Sequence, residues 1–150
     1  QAWRPVLSHD IYARAMGNLV DTIFSLYLDQ VLSAYDISEP AGNFIGALFR
    51  NATRSMSELF DEDVTGSAGA SASSAGELTA TKIARAGSYG EKFDAVGKFM
   101  FMSLTDINAG LGDGTFKSVT GQELSKLIVA AFDDSQKRAD TLRLLSAADK

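Results

Sequence analysis

The chain contains no cysteine and a single histidine, His9. Without cysteine there are no disulfides and no thiolate chemistry, and the redox compartment is left open. With one histidine the usual zinc sites cannot be built, and no Glu-x-x-His pair exists for a di-iron bundle. No metal and no cofactor are therefore expected. Nucleophilic catalysis is short of parts as well: serines are plentiful, but no G-x-S-x-G elbow occurs, and His9 is the only imidazole base. His9 stands beside a helix start, where a surface or capping role is the plain reading. The residues thus point away from an enzyme.

Other shortages bound the remaining choices. No apolar run approaches the ~20 residues that a bilayer crossing requires. The start, Gln1 to Asp10, has neither a basic nor an apolar targeting region, and it lacks an initiator methionine. The sequence is therefore expected to be part of a longer chain. Positive charge is scarce in the first half, where residues 1–75 hold four Arg and no Lys against nine acids. Residues 76–150 hold ten cations and ten acids. The net charge of −5 argues against a nucleic-acid surface, which needs clustered cations. The acidic half reads either as a solvated face or as a patch for a basic partner.

What is present is helical periodicity. Ser8 to Tyr35 reads as the longest helix, with Ser8 or Asp10 as N-cap after Pro5. Arg14, Asn18, Asp21, Ser25 and Asp29 fall at steps of 4, 3, 4 and 4, one narrow polar stripe. The rest of the circumference is apolar, broader than a surface helix requires, so this helix is expected to be covered on more than one side. Gly17 lies inside it and marks either a close approach of another backbone or an exposed neutral site.

A second helix is expected from Ser38-Glu39-Pro40 to about Phe60. Ser38 suits an N-cap and Pro40 a first turn. Gly, Ala, Ser and Thr then dominate, with too few large side chains to offset the entropy of ordering. Residues 61–87 read as a flexible insertion within one domain spanning 1–150. A third helix is expected from Ser88 to about Ala109, ended by Gly110 in the left-handed conformation and the Asp113-Gly114 turn. The fourth begins with the capping-box pair Thr120 and Glu123, just before Leu124, and runs to about Leu145. The expected fold is all-α, an antiparallel bundle of about four long helices.

Two segments resemble cofactor motifs without completing them. Asp106-x-Asn108-x-Gly110 opens like a calcium loop, but Leu111 occupies the position that needs glycine and no Glu closes it. Gly110 to Gly114 is glycine-rich but follows a helix, not a strand, so the phosphate-cradle context is missing. Phe99 to Met102 are core residues at helical spacing, or an adhesive face for another helix. The first and third helices carry more apolar surface than four helices can cover, and the excess points to assembly.

Two segments, Trp3 to Ser38 and Phe93 to Leu145, resemble the C-terminal region of the Zeste-white ten family of kinetochore and vesicle-tethering proteins. The matching residues are Tyr12-Ala13-Arg14-Ala15-Met16-Gly17, Asp36-Ile37-Ser38, Asp113-Gly114, Thr120, Glu123-Leu124, Leu127-Ile128 and Ala131-Phe132. The family tends to carry Leu-Pro before the first helix, where this chain has Leu7-Ser8, and the insertion matches no part of the pattern.

The resemblance implies a helical domain at the end of a rod-like tethering subunit. Family members act in a complex at the endoplasmic reticulum that captures vesicles returning from the Golgi. Animal members also join Rod and Zwilch at kinetochores. The implied partner is a large α-solenoid subunit of the Rod or neuroblastoma-amplified type, with membrane association only through the complex. Tyr12, Arg14, Gly17, Asp113, Gly114, Thr120, Glu123 and Leu124 carry over as structural or interaction positions. From the residues alone, a small-molecule-binding bundle and a self-associating bundle remain as alternatives.

Overall fold

The structure, a computed structural model, describes residues 9–61 and 89–148. Apart from Asp61, the insertion read at 61–87 lies outside the described residues. Among those described, the fold is six helices and no strand. They are α1 (His9–Leu32), α2 (Glu39–Asp61), α3 (Gly90–Phe99), α4 (Leu104–Asp113), α5 (Gly121–Ala131) and α6 (Gln136–Ala148).

The two long N-terminal helices form close to where the sequence places them. Of the two N-caps offered for α1, Ser8 lies outside the described residues, and Asp10 is already inside the helix. Glu39 and Pro40 open α2, where proline's missing N–H leaves no intrahelical bond unmade.

The expected four long helices are corrected at two points, because the third and fourth each break in two. Ser103 stops the third. Its hydroxyl accepts the Asp106 N–H, while the Asp106 carboxylate accepts the Ser103 N–H at 3.0 Å and the hydroxyl proton at 2.7 Å. This reciprocal cap starts a new helix, α4, and leaves Met100 to Met102 as a turn. The residues that resembled a calcium loop are this helix start. α4 then runs through Gly110 to Asp113, and Gly114, at φ 81°, takes the left-handed position expected of Gly110.

The second break follows α5, where Phe132 turns extended and Ser135 caps α6 by accepting the Arg138 N–H at 3.2 Å. Arg138 spans the break. It donates to the Phe132 carbonyl at 2.8 Å and pairs with Asp134 at 2.7 Å.

Packing centres on α3, which lies antiparallel to α2 and also touches α1. Phe93 of α3 is sandwiched between Phe24 of α1 and Phe49 of α2, with ring centroids 4.0 Å apart on each side. Tyr27 meets Phe49 and Phe93 edge-on. Each such aromatic pair contributes about 0.5–1.5 kcal/mol beyond area burial. At the other end of α3, Phe99 meets Phe116 and Phe132 edge-on, joining this stack to Ile107, Leu124, Leu127, Ile128 and Leu145 in one core. Thr141, fully buried, donates its hydroxyl to the Lys137 carbonyl. The Ile37 N–H reaches the Ala130 carbonyl at 2.8 Å, pinning the α1–α2 link to the end of α5.

Candidate interaction surface

α1 packs on α3 and α5 through Val20, Phe24, Leu28 and Val31, spaced 4, 4 and 3 on one face. The opposite face carries Ile11, Ala15, Leu19, Thr22 and Leu26, spaced 4, 4, 3 and 4. Ile11, Leu19 and Leu26 are 56%, 52% and 61% exposed. The helix is therefore covered on one side by the described residues, not on more than one as its composition suggests. Its second apolar stripe faces outward.

Two hydroxyls, one on this face and one at its edge, are turned back onto the helix. The Thr22 hydroxyl donates to the Asn18 carbonyl at 2.8 Å, and the Ser25 hydroxyl donates to the Thr22 carbonyl at 2.9 Å. The outer face thus offers methyl and methylene groups more than hydrogen-bonding ones. The polar stripe flanks it rather than lying opposite the core, and Asp21 from that stripe accepts the Tyr89 N–H at 3.2 Å, at the start of α3. Where α1 ends, Leu32 to Tyr35 and Ser125 to Ala130 frame a groove of about 470 Å³. Tyr35 there is 97% exposed, and Val129 is half exposed.

The residues singled out from the sequence fall into two groups. On α1, Arg14 is exposed in the polar stripe, and Tyr12 lies in the helix with its side chain outside the description. A methyl group built on Gly17 meets nothing within 4 Å. Of the two readings of Gly17, no close approach of another backbone is seen among the described residues, and the glycine itself is half-buried.

The second group shapes the passage from α4 to α5. Asp113 accepts the Thr115 N–H at 2.9 Å and its hydroxyl proton at 2.5 Å. These bonds hold the Asp113 carboxyl below the usual carboxylate range. Gly114 ends α4. Thr120 and Glu123 form the reciprocal cap of α5, and Leu124 is core. Glu123 also accepts both of its oxygens' worth of ion pairing from Lys92 of α3, at 3.0 Å each. Burial is the largest single influence on the Glu123 carboxyl and pushes it up. The Thr120 N–H, the Lys92 ammonium and the Thr120 hydroxyl together outweigh burial and hold it low. These contacts position helices.

The sequence does not separate Ile11, Leu19 and Leu26 from the other apolar residues of α1. The available signal was the count of apolar positions, larger than one buried stripe needs. Among the described residues no group of acids and histidines could hold a metal ion, and no helix is long and apolar enough to cross a membrane.

Comparison with curated proteins and with solved structures finds no match. A family profile described as the ZW10 C-terminal helical domain matches residues 1–145. The match takes in all of α1 to α5 and most of α6. The chain therefore belongs to the ZW10 C-terminal helical domain family, the Zeste-white ten family its motifs resemble.

Proposed function

We propose that this domain is a non-enzymatic docking module of a multisubunit tethering complex in Golgi-to-endoplasmic-reticulum vesicle transport. A kinetochore and spindle-checkpoint role is added where the lineage supplies the partners. The observation that carries this reading is the outer face of α1. Three large aliphatic side chains at helical spacing are left in solvent by a fold that buries the opposite face completely. Apolar surface ordered on a rigid helix is what a partner helix can cover at little conformational cost.

The partner we assign is a large α-solenoid subunit of the Rod or neuroblastoma-amplified type, whose exposed helix ridges would interdigitate with the α1 stripe. In this reading the protein is cytoplasmic and reaches the endoplasmic reticulum, or the kinetochore in mitosis, through the complex. Affinity purification of the full-length protein tests it. A large helical-repeat subunit recovered in stoichiometric amount is expected. Recovery of the protein alone, or as a homo-oligomer only, would overturn the assignment.

A further inference from the structure

The outer face of α1 continues past the end of the helix. The Ser33 N–H donates to the Asp29 carbonyl at 3.1 Å, so the chain keeps helical register as far as Ser33. Ser33 stands seven residues beyond Leu26, about two turns, and therefore on the same face. The rise between them is about 10 Å. Ser33 also lines the groove of about 470 Å³ between the end of α1 and α5. Leu32 and Tyr35 form one wall, and Val129 and Ala130 form the other. The bond from the Ile37 N–H to the Ala130 carbonyl, 2.8 Å long, holds the two walls together. Lys126, one turn before Val129 on α5, is the only charged residue that lines the groove. It is exposed and makes no ion pair among the described residues. Asp29 and Asp36, the acids nearest in sequence to the α1 wall, lie outside the lining.

We propose that this groove is the end of the α1 docking path and takes an apolar side chain, followed by a carboxylate, from the same partner helix. The proposal rests on the reading of α1 as the docking face. A partner helix laid along the stripe from Ile11 to Leu26 covers about 22 Å, and two further turns carry it over the groove. The apolar walls select an apolar residue, which would sit between Leu32 and Val129. The unmatched ammonium of Lys126 selects the carboxylate, and a basic residue at that point would be repelled. The groove thus fixes where along α1 the partner helix stops, which the uniform aliphatic stripe alone does not do.

Titration calorimetry of the full-length protein against the purified α-solenoid partner proposed above tests this. Val129→Asp and Tyr35→Ala should each weaken binding about tenfold. Both variants should melt as wild type does, since both side chains stand well into solvent. Lys126→Glu should weaken binding and lessen its dependence on salt, whereas Lys126→Arg should keep both. Wild-type affinity in Val129→Asp or in Lys126→Glu, with binding lost in Leu19→Asp, would overturn this inference and leave the α1 docking face standing. Wild-type affinity in all three would overturn both. Self-association of the full-length protein that Val129→Asp abolishes would make a second copy the occupant, and that too would overturn the proposal.

Discussion

The Lys92 ammonium lies 3.0 Å from both carboxylate oxygens of Glu123, and the same carboxylate closes the cap of α5 through Thr120. One side chain thus starts a helix and ties it to α3. The pair is mostly shielded, with side chains 20% and 26% exposed. Desolvation limits its net contribution to roughly 1 kcal/mol, to be read from a double-mutant cycle with Lys92→Met and Glu123→Gln.

Acid stability follows from the same contact. The folded Glu123 carboxyl lies below its unfolded value, so its contribution is complete above the unfolded value and is lost as pH falls through the folded one. Asp106, lowered by the Ser103 hydroxyl and N–H, and Asp113, lowered by Thr115, act in the same sense. Urea midpoints measured from about pH 7 to about pH 3 should fall on the acid side. Glu123→Gln should begin lower at neutral pH and fall less steeply. Parallel curves for the two proteins would show that Glu123 does not contribute.

The Phe24–Phe93–Phe49 stack joins three helices through one central ring. Phe93→Ala removes it from a site 1% exposed and should cost about 3–5 kcal/mol in urea unfolding. Phe93→Leu should cost clearly less, since it retains most of the volume.

Two glycines inside helices should respond to alanine in opposite ways. Gly17 faces open space, so Gly17→Ala should raise stability by about 0.5–1 kcal/mol through helix propensity. At Gly110 the new methyl would lie 2.8 Å from the ring of Phe116, which is buried and cannot swing aside. Gly110→Ala should therefore lower the melting temperature despite the same propensity gain, at a cost of roughly 1–3 kcal/mol from overpacking.

The residues differ in how far they announce their roles. Thr120 and Glu123 spell a cap by local chemistry, and that cap forms. Ser103 and Asp106 form the same device, but they follow Phe99 to Met102, whose apolar run suggests an unbroken helix. Asp133 and Asp134, four residues before Lys137 and Arg138, look like a helix face. Arg138 does pair with Asp134, but across the break before α6, and it also donates to the Phe132 carbonyl where the chain turns and brings Thr141 and Leu145 into the core. The apolar breadth of α1 is plain in the sequence. Which of its flanks is covered depends on where α3 and α5 come to rest, and local periodicity carries no information on that.

The outer stripe of α1 is the centre of this account, and paired substitution tests it most directly. Leu19→Asp with Leu26→Asp removes apolar surface that the fold leaves in solvent, so the free protein should change in stability by no more than about 1 kcal/mol. Binding of the full-length double variant to the proposed α-solenoid partner should be measured by titration calorimetry beside wild type. A loss of about a hundredfold in affinity with the melting temperature nearly unchanged is the expected result. Wild-type affinity in the double variant would contradict the assignment of α1 as the docking face.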